Sequence, residues 1–587
     1  MSGVPHSLDD ERPAVPRIVL PVTARGVELT DRLCWLILGV AMALAAGLIL
    51  YLNRGTTFFL DELAWVYESL VLGGIDDVLE PHNGHLIATS RLVYKAILET
   101  IGAEYVAFRL LGVAAVLLSA ALFYALAKRR LGALPALAPA LVVLFLGSAW
   151  QHVVIPIGFT VISSVAAGLG ALLALERDDR RGDVAACALL VLSLATYTTG
   201  LGFVAGVAVH VLTRPDRWRR AWIFGLPLIL YAAWWVWALD FSSSAKGEAH
   251  ASNLLLIPDY LIESLATAVA AIVGVGYDFA QLSPPGSELG WGRALAVLTL
   301  IALGVRLARG SIPRALWVMV AVLLSYWVLG ALAASGERAP WAPRYVYFGA
   351  VGVLLVAAEA VRPLKITRVG LVALFAVTAF SLATNLGVLR NGSVYFKDDY
   401  SIPARAQFAM LELARGVAAD SFDPAARLPQ AVAPVGAQTA TYYELVDRYG
   451  SLAFSLDELS RQSEAVRQGA DRVLAQALAL RLVPAQPPRT QRRCERVESS
   501  VDNLGFELPP RGATLRVDAA APASLSLSRF AGFPAAKIGR ISPGRTAALT
   551  IPTDVASTPW HGVITGAVAV TVCPLAGEGG ASGPTNS

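Results

Sequence analysis

The sequence predicts an α-helical polytopic membrane protein that ends in an extracytoplasmic α+β domain closed by a small β-sandwich. Three observations carry that expectation. The 587 residues are 55% hydrophobic and only 16% charged, with a mean hydropathy of +0.57, whereas soluble domains are about a quarter charged. Apolar runs of membrane-spanning length recur through the first two thirds of the chain. The last third is far more polar and changes its periodicity from helical to alternating. A net charge of +4 is too small to argue for a nucleic-acid partner.

Residues 1–32 hold Pro5, Pro13, Pro16 and Pro21 among mixed charges and read as a disordered cytoplasmic tail. Leu33–Leu52 is too long for a signal-peptide core and is read as a retained anchor. Further apolar runs follow at 105–127, 133–150, 157–175, 184–213, 221–239, 257–282, 291–308, 315–334, 344–361 and 369–388. Basic clusters lie between some of them, among them Lys128-Arg129-Arg130, the four arginines of 214–220, and Arg362, Lys365 and Arg368. The positive-inside rule places all of these in the cytoplasm. Both ends of 184–213 are then inside, so this stretch turns back at Tyr197-Thr198-Thr199-Gly200. By the same parity 257–282, with Asp259, Glu263 and Asp278, should be interfacial or re-entrant instead of spanning. The expectation is about eleven spans over 33–388, with the N-terminus inside and the C-terminus outside.

The external side then carries the loop 53–104, the loop 240–290, the connection 335–343 and the tail. Within the tail, 389–485 reads as helical and 490–573 as short strands between turns, with 574–587 disordered. Cys494 and Cys573 flank the strand-rich block, and an oxidising compartment would let them pair. Cys34 and Cys187 fall in apolar segments and read as packing residues. The cytoplasmic connections are short, and no Walker or dinucleotide pattern follows a strand. Chemistry is therefore expected outside, without a cytosolic nucleotide.

The residues that could perform it cluster in the first loop. Asp61 and Glu62 stand just beyond the first span and open a helical stretch that Gly73-Gly74 ends; ionised groups at a membrane boundary are costly to place. Pro81-His82-Asn83-Gly84-His85 is turn chemistry leading into a second helix, and His82, Asn83 and His85 are candidate ligand contacts. On another external connection, Arg338, Arg344 and Tyr345 within Glu337–Tyr345 could meet a phosphate at headgroup depth, and Lys246 is a further candidate. His152 and the Trp234-Trp235-Trp237 group read as interfacial residues.

A first span followed by an Asp-Glu pair that opens a long external loop with surface helices resembles the GT-C superfamily of membrane glycosyltransferases, over about residues 30–390. The resemblance implies a bacterial plasma-membrane enzyme that transfers a sugar, with inversion, from a polyprenyl-phosphate-linked donor to a cell-envelope acceptor. It implies Asp61 as the catalytic carboxylate; Glu62 beside it is a candidate substrate-binding residue that would orient the acceptor. No cofactor is demanded by any motif, and a divalent cation stays open. The competing expectations are a transporter of lipid-linked or cell-wall saccharides and a non-catalytic membrane scaffold with an external binding domain. No internal repeat favours the transporter.

Overall fold

A computed structural model describes residues 24–241, 251–275, 290–309, 312–335, 338–362, 364, 366–423, 438–487, 494–498 and 503–575. Its first part is helical throughout. α1 (Ala24–Leu52) leads into the loop helices α2 (Asp61–Val71), α3 (Ile75–Leu79) and α4 (Ala88–Ile101). The bundle continues with α5 (Tyr105–Leu131), α6 (Ala133–Leu144), α7 (Trp150–Val153), α8 (Phe159–Leu175), α9 (Arg180–Thr196) and α10 (Gly200–Leu212). It closes with α11 (Arg217–Arg220), α12 (Trp222–Ala238), α13 (Ile257–Val273), α14 (Gly290–Ala308), α15 (Arg314–Leu332), α16 (Pro343–Val361) and α17 (Arg368–Val394). Among the described residues nine helical segments are long and apolar enough to cross a membrane, and α10 and α12 are shorter apolar helices. This is a membrane protein by the length and composition of its helices.

The basic clusters gather at one end of the bundle, where they are paired. Lys128 at the end of α5 meets Asp31 of α1 at 2.9 Å, and Arg130 meets Glu176 beyond α8 at 2.6 Å. Arg130 also reaches the fully buried Glu359 near the end of α16, and Arg220 meets Asp178 at 2.9 Å. Charges that leave water need such partners, so these clusters tie helix ends together. The loop 53–104 lies at the opposite end.

One expected irregularity takes definite form. α9 stops at Thr196 and α10 starts at Gly200, so the helix breaks across Tyr197–Thr199. α13 begins level with the end of α15, since the Asn253 amide donates to the carbonyls of Leu332 and Ala334 at 2.9 and 3.1 Å. It ends at Gly274, which takes a left-handed φ of +82° and packs on Ser381 and Thr384, about halfway along α17. α14 starts beside α13, with Arg293 on Glu263 at 2.7 Å, and runs to Arg306, which donates to Ala360 near the end of α16. The two helices therefore descend in the same sense. The segment Ser252–Val273 is long and apolar enough to cross a membrane, and Gly274 closes it beside Ser381 and Thr384 of α17. The remainder of 257–282 beyond residue 275 lies outside the described residues.

α17 does not end at the bundle surface. It continues through a π-helical turn, Tyr395–Ser401, into α18 (Ile402–Leu413). Helices Thr439–Tyr449, Leu456–Ser460 and Glu464–Ala477 follow. Among the described residues nine strands then form two antiparallel sheets: β1 (Leu482–Ala485), β2 (Glu495–Glu498), β3 (Asn503–Glu507), β4 (Gly512–Asp518), β5 (Ala523–Ser528), β6 (Ala536–Ile541), β7 (Thr546–Thr550), β8 (His561–Thr565) and β9 (Ala569–Pro574). Their orders are β1-β7-β4-β9-β2 and β3-β8-β5-β6. The alternating burial of β4, with Leu515 and Val517 inside and Arg516 and Asp518 outside, is the period-2 signature of a sheet with one buried face. A disulfide joins Cys494, just before β2, to Cys573 in β9. The helical part of the tail ends at Ala477, and Leu482–Ala485, expected at the end of a helical region, is a strand of the sandwich. Residues 576–587 lie outside the described residues.

The tail is fastened to the loop. Ala103 donates to the Tyr449 carbonyl at 2.7 Å, Arg448 pairs with Glu99 at 2.7 Å, and Tyr400 accepts from the Leu60 amide at 3.0 Å.

Candidate functional site

The site is built on α2. Residues 61, 65 and 68 recur at helical spacing (i, i+4, i+7) and share one face, while Leu63, Val66 and Leu70 are buried on others. The helix is entered through Leu60, which holds a left-handed φ of 38°. That conformation is costly for a side chain with a Cβ and typically persists only where surroundings fix it. Here the Tyr400 hydroxyl holds its amide.

Opposite that face stands the turn His82-Asn83-Gly84-His85. His82 and His85 exchange both backbone hydrogen bonds, at 3.0 and 2.9 Å. Asn83 and Gly84 at its tip have φ of 48° and 77°. A two-residue hairpin with positive φ at both central positions is the type I′ turn, for which Asn-Gly is the preferred pair. The turn places the two histidines in separate contacts. The His82 ring meets Trp65 edge-on at 5.5 Å, with Nδ1 3.3 Å from Glu68 Oε1 and Nε2 3.8 Å from Asp61 Oδ1. Arg91 of α4 donates from Nε to the other Glu68 oxygen at 3.1 Å. His85 Nδ1 lies 2.9 Å from Thr198 Oγ1 in the α9–α10 break, and its ring packs on Tyr197 at 4.5 Å.

Electrostatics follow from this geometry. Asp61 lies below the usual carboxylate range because the His82 imidazole favours its ionised form, against partial burial, with Arg344 adding to the effect. Burial pulls the His82 ring down, but Asp61 and Glu68 outweigh it and raise it to about 9. Glu68 is raised by burial and lowered more by His82 and Arg91.

Asp61, His82, Asn83, His85, Arg338, Arg344 and Tyr345 all line one cavity of about 880 Å³. Residues 344, 345, 346 and 349 contribute its α16 wall. The N-terminus of that helix carries partial positive charge, and Arg344 adds a full one, so this wall favours an anion. The rest is largely aromatic and apolar, including Tyr231, Trp235, Tyr260, Tyr326 and Trp327.

Glu62 is not part of the cavity. The one-residue step along α2 turns it into the packed underside of the loop, where it is fully buried. Its two oxygens accept from the Tyr94 and Tyr105 hydroxyls at 2.8 Å each, and Oε2 also accepts from the Phe59 amide at 3.0 Å. Burial raises its carboxyl to about 7 despite these donors. The expected substrate-binding role is therefore corrected to that of a buried staple between α2, α4 and α5. Lys246 and Glu337 lie outside the described residues. Trp234 does more than mark a membrane boundary, since its indole donates to the Leu79 carbonyl at 2.7 Å.

Sequence reasoning missed Glu68 and Arg91, although the spacing of 61, 65 and 68 was a usable signal. It also set aside His152, which lines the cavity, is 8% exposed and has no hydrogen-bond partner at Nδ1 among the described residues. Nothing in its local sequence marks it, because α7 is a single turn between two irregular segments. Among the described residues no three His, Cys, Asp or Glu side chains form a group that could hold a metal ion. Compared with known protein-family models, characterised proteins and solved structures, the chain matches none.

Proposed function

We propose that the protein transfers a sugar from a polyprenyl-phosphate-linked donor to a cell-envelope acceptor, and that the cavity between α2, the His82–His85 turn and α16 is the reaction site. The observation that carries this reading is that the Asp61 carboxylate and the Arg344 guanidinium line the same cavity. Transfer needs both. The acceptor O–H attacks C1 while the C1–O bond to phosphate breaks, the phosphate leaves with the electron pair, and the acceptor proton passes to Asp61. The charge that builds on the departing phosphate is met by Arg344, Arg338 and the first turn of α16. Inversion follows from a single displacement. Leu228 and Trp235 line the cavity and are each 43% exposed on the bundle surface, which supports entry of a lipid-borne donor from the side.

The accompanying topology is eleven crossings, with the paired basic end in the cytoplasm of a bacterium and the loop, cavity and disulfide-bonded tail outside. The decisive experiment is a lipid-linked sugar transfer assay on purified protein. Asp61→Asn should lower turnover ~10²–10⁴-fold while donor binding persists, and Arg344→Ala should weaken donor binding, with Lys restoring it only in part. Full turnover by Asp61→Asn would remove Asp61 from the chemistry, and a wild-type protein that transfers no lipid-linked sugar would leave the scaffold reading in its place. For sidedness, a cysteine at the exposed Ser460 should react with an impermeant thiol reagent in intact cells and one at the exposed Thr213 should not; the reverse pattern would invert the topology.

A further inference from the structure

We infer that His82 is a positioning residue for Asp61, an imidazolium clamped between two carboxylates that fixes Oδ1 and leaves Oδ2 to receive the acceptor proton. The inference rests on the transferase reading above and adds a role which that reading does not assign. Its basis is geometric. Nδ1 lies 3.3 Å from Glu68 Oε1, and Glu68 is itself held by Arg91 at 3.1 Å. On the other side of the ring, Nε2 points towards Asp61 Oδ1 at 3.8 Å. A ring with a carboxylate on each nitrogen satisfies both only when both nitrogens carry a proton, because a neutral imidazole has one donor. The charged groups around the ring are Asp61 and Glu68 on α2 and Arg91 on α4, with His85 and Arg344 acting on Asp61. Two carboxylates against one cation at contact distance favour the protonated ring, in line with its rise to about 9.

The Asp61 contact is poised, not closed. Nε2 is buried and makes no hydrogen bond among the described residues, whereas the Asp61 side chain is 57% exposed. A separation of 3.8 Å exceeds hydrogen-bond length. A ligand that fills the cavity displaces water from Asp61, and loss of water strengthens the pair. Closing the contact on substrate binding would then fix the carboxylate at the moment the acceptor arrives. Misplacement of a reacting group by about 1 Å can cost on the order of 10²-fold.

The test uses the full-length protein labelled with ¹⁵N-histidine in lipid nanodiscs, with His82→Gln used to assign the His82 signal by difference. His82 should titrate well above the ordinary histidine value of about 6.5, and Glu68→Gln should move that titration to lower pH. Glu68 does not line the cavity, so a parallel acid-ward shift in the alkaline limb of kcat for Glu68→Gln reports the clamp and not lost substrate contact. His82→Ala should lower kcat on the order of 10²-fold with the donor KM little changed, and His82→Gln, which keeps a donor, should recover part of the loss. An ordinary His82 titration, or one indifferent to Glu68→Gln, would overturn the inference even if transfer by the wild type is robust. A raised, Glu68-dependent titration in a protein that transfers no lipid-linked sugar would instead sink the transferase reading and the catalytic role with it, leaving only the clamp.

Discussion

The two faces of the loop between α1 and α5 treat neighbouring carboxylates in opposite ways. On the cavity face, Asp61 keeps 57% of its side chain exposed, stands beside an imidazole and is held below the usual carboxylate range. On the packed face, Glu62 is fully buried, accepts from two tyrosines and a backbone amide, and is raised to about 7. One residue along a helix is a rotation of about 100°, and here that rotation separates a carboxylate that lines the cavity from one that ties packed helices together. The tyrosines do not cancel the cost of burying Glu62; they reduce it. A carboxylate whose donors are neutral hydroxyls remains harder to ionise than one facing a cation.

The largest effect that could break this contrast is on turnover. Asp61→Asn should cost ~10²–10⁴-fold, the usual contribution of a positioned base, with only a small loss of thermal stability. Glu62→Gln should keep most of the turnover, because its carboxyl does not reach the cavity. Comparable losses in both variants would mean that the loop acts as a single unit and that the division between faces is wrong.

Stability should divide the other way. Glu62→Ala strands the Tyr94 and Tyr105 hydroxyls in the core, each orphaned group costing about 1–3 kcal/mol, so thermal unfolding of purified protein should shift clearly downward. Asp61→Ala, at an exposed position, should shift it little. A stable Glu62→Ala protein would show that water reaches the underside of α2.

The pH dependence follows the same division, with signs fixed by which state binds more protons. Glu62 rises from 4.5 to about 7 on folding, so the folded state holds the extra proton between those values. Its stabilisation is full below 4.5 and is lost as pH rises through about 7. Asp61, lowered from 3.8, stabilises above its unfolded value and loses that contribution as pH falls through its folded one. The difference in Tm between wild type and Glu62→Gln should therefore decline from pH 4.5 to 7 and level off above. A flat difference would mean that Glu62 is ionised throughout.

Much of the fold was legible because its signals are local. Apolar length marked most of the spanning helices, Gly73-Gly74 marked the end of α2, and Asn83-Gly84 marked the turn. The break at Tyr197–Thr199 followed from counting charges, since each crossing must reverse side. The site was legible in part. Asp61, both turn histidines and the Arg338–Tyr345 connection are brought to one cavity, although they lie on elements hundreds of residues apart. Glu62 was misjudged because sequence gives the order of two acids and not the rotation of the helix that carries them. The positions of Tyr94 and Tyr105, which decide its fate, are set by how α4 and α5 pack on α2. Arg91 escaped notice for the same reason, since its partner Glu68 lies across a helix–helix contact. The strand at Leu482–Ala485 was hidden because four residues are too few to separate the two periodicities.

The smallest expected effect concerns the turn that presents the histidines to the cavity face. Asn83 and Gly84 both sit at positive φ, 48° and 77°, where a side chain with a Cβ costs roughly 1–2 kcal/mol and glycine costs nothing comparable. Gly84→Ala should therefore lower thermal stability by about that amount and reduce turnover modestly, as His82 and His85 drift from Glu68 and Thr198. Asn83→Gly is the sharper variant. It keeps the backbone preference and deletes only the side chain, which is exposed at the cavity wall. If Asn83 serves the turn alone, Asn83→Gly should match the wild type in both stability and turnover. If its amide also contacts substrate, stability should hold while the KM for donor or acceptor rises. A Gly84→Ala protein indistinguishable from wild type would show that the turn tolerates another backbone geometry, and that His82 is held by its carboxylates without help from the hairpin.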